Sequence, residues 1–191
     1  MKFSRALMIA LVVPAALAAQ QPSGAPQTDP ITAAFRGRIT TLERNVAQAF
    51  DSIPERLFSY KPTPAQLSFG YIAQHVANDN YIFCNNFGAM KGTVPEKDTS
   101  TPDSVKATWP KDTLVAKLKA SFTFCENALA QVDDAKLGEE ITMTFGGNSR
   151  KTPRVSMVLG HVVDMADHYS QLANYMRLNG MLPPTAQQRR M

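Results

Sequence analysis

Apolar residues recur at spacings of three and four in four separate stretches of this chain, the period of an amphipathic helix. In the first stretch they are Ile31, Phe35, Ile39, Leu42, Val46, Phe50 and Ile53. Asp29-Pro30 stands ahead of it, an N-cap acceptor followed by proline at the first helical position. Pro54 and the Lys61-Pro62-Thr63-Pro64 segment end it. Ser68 caps the second helix, whose stripe is Phe69, Ile72, Val76, Phe83 and Phe87, with Gly88 and Gly92 closing it. The third starts near Asp112 and carries Leu114, Leu118, Phe122, Cys125, Leu129 and Val132, with Asp133-Asp134 and Gly138 leading out. The fourth starts at Thr152-Pro153 and carries Val155, Val158, Val162, Met165, Leu172 and Met176. Gly180 is its expected cap, and Pro183-Pro184 blocks continuation.

Four such helices predict an all-α, four-helix bundle. The segment from Ala89 to Lys111 is long, polar and interrupted by Pro95, Pro102 and Pro110. A connection of that length is a crossover, which lets helices two and three run parallel where a short loop would make them antiparallel. Residues 139–151 read either as a short hairpin, from Ile141 to Phe145 and back through Gly146-Gly147-Asn148, or as an irregular lid.

The 191 residues suit one domain. The first residues change the picture. Lys2 and Arg5 precede an apolar run from Ala6 to Leu17, and Ala16-Leu17-Ala18 places small residues where a signal peptidase cuts. The expected organisation is a signal peptide at 1–19, a flexible lead-in at 20–29, a bundle at 30–185 and a tail at 186–191. The expected destination is exported, periplasmic or extracellular. The apolar run is short of the ~20 residues that span a bilayer, so no stable membrane span is expected after cleavage. The net charge of +4 is spread along the chain, with part of it in the expected signal, which argues against a nucleic-acid surface.

Export bears on Cys84 and Cys125. An oxidising compartment permits a disulfide between them, and two buried free thiols are the competing reading. Cys84 lies 16 residues past Ser68 and Cys125 lies 13 past Asp112. At ~1.5 Å per residue the two depths differ by less than one turn, so parallel helices would bring the thiols to one level.

The chain has three histidines, His75, His161 and His168. His161, Asp164 and His168 are spaced three and four apart, on one helical face. Asp164 and His168, one turn apart, have the spacing of a metal-binding pair. His75, on an antiparallel second helix, lies at a depth that meets them. His75, Asp164 and His168 would hold a divalent transition metal (Zn, Ni, Fe or Mn) with open positions. Asp79, four residues after His75, is a candidate fourth ligand, outer-sphere acceptor or general base. His161 and Tyr169 are candidate outer-sphere or pocket residues, and His161 is otherwise a substitute ligand or a core-flanking residue. The commoner role of a helical His or Asp is a hydrogen-bonded or ion-paired one.

The segments Arg56-Leu57-Phe58-Ser59-Tyr60-Lys61-Pro62-Thr63-Pro64, Ser68-Phe69-Gly70 and His75-Val76-Ala77 resemble the helix-one exit and helix-two start of the DinB-like family. Asp167-His168-Tyr169-Ser170-Gln171, Tyr175-Met176-Arg177-Leu178-Asn179-Gly180 and Pro183-Pro184 resemble its helix-four signature, and Phe83-Cys84 is similar to a pair in exported members. The resemblance covers most of residues 30–185. It implies an up-down-down-up bundle and a divalent metal held by one His of helix two and a His-x-x-x-His pair of helix four. His75 and His168 match two of those positions, and Asp164 stands at the third. The resemblance implies a metal-dependent transferase acting on a small molecule and allows a homodimer, while an open metal position would equally serve a hydrolase. The alternatives are a non-catalytic module that binds a small ligand or metal, and a degenerate scaffold without metal.

Overall fold

The computed structural model describes residues 28–145 and 147–187. The expected signal peptide, nearly all of the lead-in and the last four residues of the tail lie outside the described residues. The fold is mostly helical. Helix α1 spans Pro30–Ser52 and α2 spans Phe69–Cys84, with a 3-10 turn at Glu55–Leu57 between them. Two short helices follow, α3 at Glu96–Ser100 and α4 at Asp103–Lys106, and then α5 at Lys111–Ala130 and α6 at Asp134–Leu137. Strands β1 (Glu140–Phe145) and β2 (Asn148–Pro153) precede α7 (Arg154–Leu178) and α8 (Pro184–Gln187).

Four long helices form the body, as their apolar periods require. Leu42, Val46 and Phe50 of α1 meet Phe69, Ile72 and Val76 of α2, Leu118 of α5, and Met165 and Leu172 of α7 in one buried cluster. A second cluster gathers Ile39, Phe87, Leu129, Met157 and Val158 around Cys84 and Cys125. Each large side chain buried in these clusters contributes roughly 1.5–3 kcal/mol relative to exposure. Ile31, the first residue of the predicted stripe, is instead exposed. No helix of the described residues is long and apolar enough to cross a membrane.

Contacts between helices give their relative directions. Asn80 meets Ser121 and Cys84 meets Cys125, so position rises together along α2 and α5. Arg36 reaches the Leu129 carbonyl whereas Lys119 pairs with Asp51, so α1 and α5 run oppositely. His75 packs on His168 and Asn80 on His161, so α2 and α7 also run oppositely. The crossover between α2 and α5 is not bare coil. It folds α3 and α4 against the bundle, and Lys117 of α5 binds Asp98 of α3 at 2.6 Å. Gly70 is required by this packing, because a Cβ there would collide with the Ala107 carbonyl just after α4.

Several boundaries differ from the periodicity. Of the two readings of the segment before α7, the hairpin holds: β1 and β2 pair antiparallel, so the mostly helical fold is not strictly all-α. The hairpin continues through Thr152 and Pro153, which pair with Ile141 and Glu140, and α7 therefore begins at Arg154 rather than with Pro153 inside it. Helix α2 ends at Cys84, before Phe87, and the Asn85 side chain then holds both the N–H and the carbonyl of Gly92. Asp29 occupies the N-cap position without capping its own helix. Its carboxylate accepts from the Asp134 N–H, while the Asp134 carboxylate accepts from the N–H groups of Ile31 and Thr32. Two helix starts thus cap one another across 105 residues. Ser68 does cap α2, accepting from Tyr71 N–H at 3.1 Å. Gly180, at φ +72°, ends α7 in a Schellman turn, with Met181 N–H donating to the Met176 carbonyl.

Candidate metal centre

His75 on α2 and His168 on α7 come together where these antiparallel helices pack. Their ring centroids are 4.9 Å apart with planes at 86°. Asp79, one turn after His75, places Oδ2 at 3.1 Å from His75 Nε2. One donor atom each from His75, Asp79 and His168 lies within 4.8 Å of the others. Two helices, each with residues four apart on the facing side, suffice to build this group. His168 is nearly buried, Asp79 mostly so, and His75 keeps a third of its side chain open to solvent. The group is therefore reachable from one side.

Asp164 is placed differently from Asp79. It stays with His168 on its own helix, Oδ1 3.4 Å from His168 Nε2, and is not part of the mutually close group. Its other oxygen, Oδ2, is buried without a hydrogen-bond partner, and so is His168 Nδ1. Unpaired buried polar atoms beside converging imidazoles and carboxylates are compatible with a cation. The donor set, nitrogen and oxygen from two His and one or two Asp, suits Zn, Ni, Fe or Mn.

The electrostatics of the group agree. Burial and the nearby Asp164 charge push Asp79 up, against the opposing pull of His75 and His168, to a pKa of about 6. Burial lowers His168, but the Asp164 hydrogen bond and the charges of Asp164 and Asp79 outweigh it, and the net direction is upward. Asp79 is thus held against the charge of a second carboxylate, and a positive charge beside it would relieve it.

The remaining sequence candidates fall elsewhere. Tyr169 donates its hydroxyl to Thr185 Oγ1 at 2.9 Å and accepts from the Thr185 N–H, so its polar end ties α8 to α7 rather than lining the donor group. His161 is fully buried, 2.9 Å from Asn80 Oδ1, and sits with the cysteines instead of with His168. Burial lowers its pKa to about 4, which leaves the imidazole neutral at neutral pH. Cys84 and Cys125 form a disulfide, with Cα atoms 5.2 Å apart.

A cleft of about 780 Å³ opens beside the amino end of α2. Ser59, Lys61, Tyr71, Ser104, Trp109 and Lys111 are among its walls. It does not contain the donor side chains. Tyr71 connects the two regions, since it lines the cleft and its ring lies 6.0 Å from that of His75. Periodicity gave no sign of this cleft, because the crossover that forms one wall has no regular pattern.

Comparison with known proteins agrees with this architecture. A DinB-like protein from Bacillus cereus superposes with a TM-score of 0.62 at 18% identity, covering 80% of this chain and 95% of its own. A DinB-like protein from Bacillus subtilis gives 0.56 at 17% identity, covering 77% and 92%. A mycothiol-dependent maleylpyruvate isomerase gives 0.58 at 14% identity, covering 74% of this chain and 60% of that one. At these identities the likeness is one of fold. No curated protein matches the chain. The DinB superfamily pattern matches residues 38–172, a span that holds both histidines of the donor group, the disulfide and most of all four long helices, and the chain belongs to that superfamily.

Proposed function

We propose that this protein is an exported DinB-superfamily member that binds one divalent transition metal through His75, Asp79 and His168 and uses it in hydrolysis of, or group transfer to, a small molecule. The observation that carries the reading is the convergence of these three donors, from two antiparallel helices, within 4.8 Å. Asp164 holds His168 from its own helix, and its unpaired Oδ2 makes it the reserve carboxylate ligand. A bound metal of this class supplies Lewis acidity and lowers the pKa of a coordinated water or thiol. The protein's part is to hold two neutral imidazoles and a carboxylate on rigid helices, and to leave the exposed flank of His75 for the substrate. Tyr71, its ring 6.0 Å from that of His75, links the donor group to the adjacent cleft, whose walls include Trp109, Lys61 and Lys111.

The contact directions of the long helices support an up-down-down-up order, in which the crossover returns the chain so that α5 parallels α2. That order matters to the site, because it sets α7 antiparallel to α2 and lets His75 and His168 meet. The resemblance in fold to a mycothiol-dependent isomerase makes a thiol one substrate class to test. The reading of export rests on the amino-terminal pattern, Lys2 and Arg5 before an apolar run that ends in small residues, with removal after Ala18 or Ala19.

Elemental analysis of the mature chain, purified without chelators or a metal-binding tag, tests the proposal. About one equivalent of transition metal is expected, and it should be absent from His75→Ala protein. Wild-type protein that takes up no metal even after reconstitution would sink the reading and leave a non-catalytic scaffold. A metal-loaded protein with no turnover on hydrolytic and thiol-transfer substrates would mark a binding module instead.

A further inference from the structure

A second group of donors lies apart from the first. Cys84 on α2, Cys125 on α5 and His161 on α7 each offer an atom within 4.8 Å of the others, and all three residues are buried. As a disulfide the two sulfurs are spent. His161 is the unusual member. Asn80 Nδ2 donates to Ser121 Oγ at 2.8 Å, and Ser121 in turn donates to the Leu118 carbonyl. Asn80 Oδ1 is therefore the acceptor left to face His161, so Nε2 carries the imidazole proton. The lone pair then falls on Nδ1, which is buried with no partner. The Asn80 contact explains one ring nitrogen, but the buried Nδ1 lone pair, on a ring set beside two cysteines, has no partner in the oxidised protein.

We propose that the reduced protein binds a zinc ion through Cys84, Cys125 and His161, a site that the disulfide closes. The chemistry balances with a dithiol as reductant. Two electrons and two protons enter the Cys84–Cys125 bond, giving two thiols, while the dithiol becomes its own disulfide. Zinc then displaces both thiol protons to solvent and is held by two thiolates and a neutral imidazole. Zn–S bonds of ~2.3 Å need the sulfurs to separate to roughly 3.7 Å, which side-chain rotation on a fixed backbone supplies.

Charge favours a divalent ion such as zinc over a monovalent one. Two thiolates and Zn(II) sum to zero, whereas two thiolates and Cu(I) would leave a net negative charge inside an apolar cluster of Phe87, Leu129 and Val158. The rings of Phe83 and Phe87 flank His161, at 5.9 and 5.5 Å between centroids, and exclude water from its face. The Asn80 carbonyl oxygen, 3.4 Å from Cys125 Sγ, is on hand as a fourth donor. Soft donors in a dry pocket contrast with the oxygen-rich, half-open group at His75, so the two centres would not compete for the same ion.

The test uses the mature chain carrying His75→Ala and His168→Ala, so that the other donor group contributes nothing and its failure is read separately. The protein is reduced with a dithiol, freed of the dithiol and of metal, and titrated anaerobically with Zn(II) and in parallel with Co(II). Reduced protein should take up about one equivalent of zinc that the oxidised form does not. Co(II) should develop thiolate charge-transfer absorption, lost in Cys84→Ser and sharply weakened in His161→Phe. Zinc should also shield both thiols from alkylation. If reduction or His161→Phe unfolds the apo chain, recovery of helical circular dichroism on adding zinc replaces absorption as the readout, expected only with His161 present. Equal zinc content in the two redox forms, or zinc binding unchanged without His161, overturns the proposal.

Discussion

His75 of α2 and His168 of α7 meet edge to face, with ring centroids 4.9 Å apart. They are 93 residues apart in the chain and share no local reason to be neighbours. Antiparallel packing of α2 on α7 brings them together, and everything proposed for the donor group depends on that relation.

Replacing His168 by alanine should remove metal binding and leave the fold intact. The side chain is nearly buried but belongs to the polar seam between α2 and α7, and the disulfide and both apolar clusters remain. The expected loss of stability is no more than about 2 kcal/mol. Elemental analysis beside a denaturant melt checks both halves, and wild-type metal content in the variant would remove His168 from the site.

Asp79→Asn and Asp164→Asn should differ. Asp79 is in the mutually close donor group, and Asp164 touches only His168 among those three. Loss of a direct ligand should abolish tight binding, whereas loss of an orienting carboxylate should weaken it by about 10–100-fold. Metal titration of both variants decides between them. If Asp164→Asn proves the more damaging, the ligand set is His75, Asp164 and His168, as the helix spacing alone suggests.

The Cys84–Cys125 bond ties α2 to α5 across a separation of 41 residues. Its removal in a Cys84→Ala/Cys125→Ala variant should cost ~2–4 kcal/mol in a denaturant melt, through a less restricted unfolded chain. Thiol titration of the protein from its native compartment provides the independent check, since two free thiols there would contradict the bond.

Glu43 is buried on α1 and neither carboxylate oxygen has a hydrogen-bond partner. Burial, reinforced by the neighbouring charge of Glu126, pushes its pKa from 4.5 to about 9. The folded chain keeps this proton where the unfolded chain releases it. The stability of the fold is therefore free of the penalty below pH 4.5 and declines as pH rises towards 9. Glu43→Gln should match wild type near the acid limit and exceed it by on the order of 3 kcal/mol in mildly alkaline buffer. Parallel melts across that range that stay superimposed would show that Glu43 is relieved by another partner.

The amino-acid sequence by itself determined the number of long helices, most of the residues that fill their core, and the family. Those properties reside in local periodicity, in caps such as Ser68 and Gly180, and in motifs read within one helix. It also named Asp79, His75, Asp164 and His168, because i,i+4 spacing puts each pair on one face. Only the tertiary structure decided which carboxylate faces the opposite helix. The rotation of α2 against α7 is a property of packing between helices, and it brings Asp79 rather than Asp164 into the mutually close group. The same holds for His161, whose place beside the cysteines arises because three separate helices converge there. The exchange of caps between Asp29 and Asp134, and the burial of Glu43, were equally invisible to local pattern, since each depends on a partner about a hundred residues away or on the closing of the core around a charged side chain.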